Sequence, residues 1–151
     1  MIRDDIKTAL VVAMKARDTA STGAIRLIQS AIKNRDIELR TASTQPDDDL
    51  LVTEVLQKMI KQRRESIEMF EKGGRPELAA NEAAEVAVIE RFLPLQMTEN
   101  ETRMAIDAIA TELAATSVKD MGRVMAALKD RHAGQLDMSK ASGLVKERLA
   151  G

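Results

Sequence analysis

Apolar residues recur along this chain at steps of three and four, and no stretch sustains a strict apolar–polar alternation. The period predicts helices from end to end, an all-α fold. Ile2, Ile6, Ala9, Leu10 and Ala13 gather on one side of a helix over residues 2–16, which "DTASTG" breaks. Ile25, Ile28, Ile32 and Leu39 share a face over 24–40. The loop "TASTQPDDD" places aspartates where they suit the positive N-terminal end of a third helix, 50–72. Gly73 and Gly74 stop it, Pro76 starts a fourth, and that one ends near Phe92, before Pro94.

Past Pro94 the texture changes. Thr98-x-x-Glu101 is a capping box that opens a fifth helix. Ser117-x-x-Asp120, a looser version, opens a sixth, and a short seventh covers 139–149 after "HAGQLD". The pattern predicts an N-terminal four-helix domain, 1–94, and a C-terminal three-helix domain, 95–151, with a hinge at Leu93–Met97. Gly122 stands inside the sixth helix, where glycine costs ~1 kcal/mol relative to alanine. It lies at the edge of an arc formed by Val118, Met121, Val124, Met125 and Leu128. That position predicts close approach of another backbone, a neighbouring helix in preference to a phosphate strand.

Composition narrows the chemistry. Of 151 residues, 44% are hydrophobic and 31% charged, the balance of a folded chain. With no Trp or Tyr and only Phe70 and Phe92, the core must be aliphatic, helped by nine methionines. There is no cysteine, so no disulfide, thiolate metal site or Cys nucleophile. Charges run through the first twenty residues, and no run of ~18 apolar residues exists. No membrane span is expected, and a cytoplasmic location is the default. The single histidine, His132, sits beside Gly134 at a helix C-terminus and reads as a dipole-favoured cap. Neither a Walker-type phosphate loop nor a G-x-G-x-x-G is present. The residues therefore predict no metal, no cofactor and no catalytic centre of their own.

Some charges fall on apolar faces. Arg63 lies within the arc of Val52, Val55, Leu56, Met59, Ile60, Ile67 and Phe70. Glu82 and Glu85 lie within that of Leu78, Val86, Ile89 and Leu93, and Arg35 between Ile28 and Ile32. Since a buried charge needs a partner, these positions predict a structural network in which Arg63, with Arg35, is bridged by Glu82 and Glu85. The other reading, a carboxylate pair for acid–base or metal chemistry, lacks the Glu-x-x-His companions of di-iron bundles. Other cations face outward: Arg26, Lys33 and Arg40 on the second helix, and Lys119 and Arg123 on the sixth, beside Gly122 and Ala126. The net charge is −1. Residues 98–116 carry one Arg against four carboxylates, a net −3, whereas 117–151 carry seven cations against four carboxylates, a net +3. Without Tyr or Trp to stack on bases, an RNA would be held by its backbone and shape.

The segments "IRLIQSAIKNRDIE", "KQRRESIEMFEKGGRPELAANEAAEVAVIERFLPLQM" and "VKDMGRVMAALK" resemble the GatB/YqeY family over essentially the whole chain. The resemblance implies an all-α fold in two helical parts. It also implies kinship between the C-terminal part and the tail domain of the B subunit of the glutamyl/aspartyl-tRNA amidotransferase, which grips the outer corner of tRNA. On that analogy Lys119, Arg123 and the loop near Gly134 would face RNA. The chain departs from the family pattern in having Phe92 where a Tyr precedes Leu-Pro, and Gln135 where a basic residue follows the glycine. The resemblance also brings a family-level label, carbon–nitrogen ligation with glutamine as amide donor, which is inherited through the shared tail, while no residue here is placed to bind glutamine or activate a carboxylate. The resulting expectation is a tRNA-binding or tRNA-enzyme accessory module, its candidate RNA contacts being Lys119, Arg123, Gly122, Arg26 and Lys33. The alternative is a protein-interaction module using the groove between the two helical parts.

Overall fold

The computed structural model describes residues 1–151, and every regular element in it is helical. The chain forms two compact units, Met1–Leu93 and Pro94–Gly151. The first holds α1 (Ile2–Lys15), α2 (Thr19–Glu38), α3 (Asp48–Lys72) and α4 (Pro76–Glu90), with one 3-10 turn, Leu39–Thr41, after α2. The second holds α5 (Glu99–Glu112), α6 (Met121–Arg131) and α7 (Met138–Ala150), with a 3-10 turn, Val118–Asp120, leading into α6.

The second helix begins earlier than the sequence pattern predicts. The Asp18 carboxylate accepts from the Ser21 N–H, so Thr19 to Gly23 are already helical and the break shrinks to Ala16–Asp18. It is made by Arg17, which adopts a left-handed φ of 56°. The Asp18 N–H then returns to the Ala13 carbonyl, a cap usually built on glycine. Ala114 does the same after α5, with φ 53° and the Ala115 N–H on Ala110 O. The capping box at Thr98 and Glu101 is formed. Asp120 accepts from the Thr116 and Ser117 N–H groups at the entry to α6.

The N-terminal core is built on Ile6, Ile25, Ile28, Val52, Leu56 and Ile89, all essentially inaccessible. The C-terminal core is built on Ile106, Ile109, Val124, Leu128 and Val145. Burying a side chain of this size stabilises by ~1.5–3 kcal/mol. The methionines contribute less than composition suggests. Met59 alone is buried, while Met1, Met14, Met69 and Met104 are exposed. Ile, Val and Leu fill the centres instead.

An ionic clamp that the periodicity does not reveal ties α1 to α2 and α3. Arg3 bonds Asp36 at 2.9 Å and Asp48 at 2.8 Å, and the Ile2 N–H donates to Asp49 Oδ1 at 3.0 Å. The Arg63 cluster is smaller than the expected network. Arg63, whose side chain is 15% exposed, holds Glu85 at 2.8 Å, with Glu82 at 4.0 Å. Arg35 takes no part: it pairs with Glu38 at 2.9 Å within its own helix. In the last turn of α2, its side chain reaches water rather than the core.

Candidate nucleic-acid interface

The cations of the C-terminal unit divide into two groups. The arginines are engaged. Arg131 on α6 makes a two-pronged contact with Glu112 on α5, at 2.7 and 2.9 Å. Arg148 on α7 meets Asp107 on α5 at 2.8 Å, and Arg103 on α5 meets Glu147 on α7 at 3.4 Å and Glu99 at 3.2 Å. Hydrogen bonding to Arg131 holds Glu112 below the ordinary carboxylate range. Arg123 is bonded to Asp120 at 2.8 Å, and this bond, aided by the Thr116 N–H, depresses Asp120 likewise. Much of the +3 balance of residues 117–151 is thus met by the −3 of residues 98–116, since acidic α5 is bridged to both α6 and α7. The cavity of about 430 Å³ lined by Arg103, Ile106, Leu144, Glu147, Arg148 and Gly151 belongs to these bridges. Its guanidiniums already hold carboxylates.

The lysines are not engaged. Lys119, Lys129, Lys140 and Lys146 are exposed and make no ion pair. The short connection 132–137 makes α6 and α7 antiparallel neighbours. Lys129 and Lys140 therefore share the end next to the connection, and Lys119, Arg123 and Lys146 the opposite end. Between them the exposed surface is low: Gly122 and Ala126 on α6 and Gly143 on α7. Asp130, with no ion pair of its own, is the one carboxylate among these groups that is free to oppose an anion.

Gly122 departs from expectation. A Cβ built on it meets nothing within 4 Å, and the residue is exposed. No helix of this chain lies against it there. The buried arc keeps Val124 and Leu128, with Met121 and Met125 packed against the core, but loses Val118, which is exposed, so Gly122 falls outside it.

The loop near Gly134 is fixed from an unexpected quarter. Gln96 donates to Gly134 O at 2.7 Å and to Pro94 O at 2.9 Å, and the Met97 N–H donates to Gln135 O at 2.8 Å. Gly134 has φ 77°. The Leu-Pro-x-Gln stretch, where the hinge was expected, spends its glutamine on holding the α6–α7 connection within the C-terminal unit. His132 ends α6, its N–H on Leu128 O and its Nδ1 3.4 Å from Gln135 Oε1. Arg26 and Lys33 lie in the other unit, on α2, and Arg26 reaches Met14 Sδ at 3.6 Å.

Residues 3–149 match the model of the Yqey-like protein family. The chain belongs to that family. Among curated relatives, "Altered inheritance of mitochondria protein 41, mitochondrial" of Eremothecium gossypii is 34% identical over 114 residues, 74% of this chain and 60% of that protein. The proteins of the same name in Kluyveromyces lactis and Saccharomyces cerevisiae are 32% and 29% identical over 111 and 119 residues. The match thus spans about 60% of the Eremothecium relative's length. These relatives carry mitochondrial names, which overturns the expectation of a cytoplasmic location. That expectation rested on the lack of a secretory h-region, which bears on one export route only. No helix is long and apolar enough to cross a membrane, and no group of three or more His, Cys, Asp or Glu is placed to hold a metal ion.

Lys119, Arg123 and Gly122 were expected on this face from the sequence, whereas the exposed Lys129, Lys140 and Lys146 were not among the expected contacts. A lysine and an arginine look alike along a helix face. Carboxylates on α5 engage Arg131 and Arg148, and Asp120 engages Arg123, which leaves the lysines free.

Proposed function

We propose that this chain is a non-catalytic RNA-contacting accessory module, whose C-terminal unit holds the phosphate backbone of a folded RNA, tRNA foremost, along the outer face of α6 and α7. One observation carries the reading. Arginines are paired off while four lysines stay free around a floor of small residues, so a phosphate strand meets cations at both ends and little steric barrier between them. An α-helix rises 1.5 Å per residue, which separates the two ends by roughly 9 Å. Contacts of this kind position a backbone and carry no base sequence. Sequence specificity and any amide-transfer chemistry are assigned to a partner enzyme.

Non-specific binding by charge should lie near ~10⁻⁴–10⁻⁶ M at physiological salt. The test is fluorescence anisotropy with labelled tRNA across a salt series, comparing wild type with Lys119→Ala/Lys146→Ala. Losing two phosphate contacts should flatten the log K against log salt line by ~1.4–1.8. A folded double variant with wild-type slope and affinity refutes the assignment.

A further inference from the structure

The second surface is on the N-terminal unit, and its chemistry differs. Two contacts set the register of α1 against α2: Arg3 meets Asp36 at one end, and Met14 meets Arg26 at the other. The helices are antiparallel, so Lys7 falls opposite Lys33 and Val11 opposite Gln29. The seam between them carries exposed Lys7, Lys33, Arg26 and, in the following turn, Arg40, none of them in an ion pair. Aliphatic side chains are interleaved with these cations. Val11 is 45% exposed and Met14 44% exposed. The carboxylates nearby are committed, Asp36 and Asp48 to Arg3, Glu38 to Arg35 and Asp18 to the Ser21 N–H, with Asp4 and Asp5 left in the first turn of α1.

We propose that the α1–α2 seam is a docking surface for an acidic amphipathic helix of a partner protein. Three features favour a helix over a nucleic acid or a lipid surface. Arg26 and Lys33 are one heptad apart on a single face, which at 1.5 Å per residue is roughly 10.5 Å, the repeat at which a partner helix returns carboxylates to the same side. Val11 stands between the cations and Met14 beside Arg26, where aliphatic groups of such a helix gain burial and a phosphate strand gains nothing. The seam has no Trp or Tyr to seat at a bilayer interface. Acidic residues of the guest meet Lys7, Lys33 and Arg26, and its aliphatic residues cover Val11 and Met14. With RNA on the other unit, the chain would join an acidic protein to an RNA.

The full chain is titrated with three probes: a stapled helical peptide with Glu at heptad spacing beside Leu, labelled tRNA, and phosphatidylserine vesicles. Lys7→Glu/Lys33→Glu changes exposed positions only, and circular dichroism verifies its fold. The expected result is at least tenfold weaker peptide binding by the double variant, recovery with a peptide carrying Lys in place of Glu, and unchanged tRNA binding. Val11→Ser/Met14→Ser should weaken the peptide severalfold with charge intact. The proposal is overturned if wild type does not bind the peptide, if charge reversal leaves binding unaltered, or if the reversal abolishes tRNA or vesicle binding while sparing the peptide.

Discussion

Gly122→Ala isolates what the open face of α6 is for. The glycine is exposed and an added Cβ would touch nothing within 4 Å, so within this chain the methyl meets no obstacle. Replacing an unobstructed helical glycine removes unfolded-state freedom and should stabilise by ~0.4–1 kcal/mol. Gly122 is the second residue of α6, where propensity counts for less, so the lower half of that range applies. Gly143, in the middle of α7 and equally open, serves as the interior standard. Gly143→Ala should gain nearer ~1 kcal/mol. In a unit of this size 1 kcal/mol moves the melting temperature by ~4–8 °C. Thermal melting read by circular dichroism should therefore rise by about 2–4 °C for Gly122→Ala and by up to ~8 °C for Gly143→Ala. The same variants should bind tRNA less tightly, because each methyl stands where a backbone is proposed to lie. A fall in stability for either variant would refute the reasoning, since something would then already occupy the Cβ position.

Three further outcomes follow from the geometry. Arg63→Leu should cost roughly 1.5–3 kcal/mol by chemical denaturation, the range for hydrogen bonds to a charged group, because Glu85 and Glu82 keep enough solvent to soften the loss; a cost below ~0.5 kcal/mol would show the pair to be idle. Hydrogen bonding to Arg3 holds Asp48 below the ordinary carboxylate value, so the clamp stabilises above ~pH 4 and its contribution is lost as pH falls through the lower folded value. Asp48→Asn should be less stable than wild type at pH 7 and lose less stability on acidification from pH 4 to pH 2, and parallel acid-unfolding curves would contradict this. Ala114→Gly should stabilise by ~1 kcal/mol by relieving a left-handed φ of 53°, measured as a shift in the denaturant midpoint, and an unchanged midpoint would speak against strain there.

Helix number and type were legible because Ile, Leu and Val repeat at helical spacing and because Thr98-x-x-Glu101 and Asp47 are local signals that act locally. The break after α1 was misplaced for the opposite reason. Arg17 takes a conformation that its residue type disfavours, and Asp18 recruits a run of small polar residues into a helix. The candidate site was legible only in part. Periodicity places a charge on a face but not opposite a partner, so it overstated Arg35 and could not separate the committed Arg131 and Arg148 from the free Lys129 and Lys146. Arg3, near the chain start, gave no signal at all, since its two aspartates come from α2 and the start of α3. Gly122 was noticed for the right reason, an uncompensated glycine, and given the wrong neighbour.

Lysine-reactivity footprinting of the whole chain, with and without tRNA, shows which face meets RNA. Acetylation is quantified at each lysine by mass spectrometry, which reads both surfaces in one sample. Bound tRNA should protect Lys119, Lys129, Lys140 and Lys146 and leave Lys7 and Lys33 labelled as in the free protein. Protection confined to Lys7 and Lys33, or none anywhere at saturating tRNA, would contradict it.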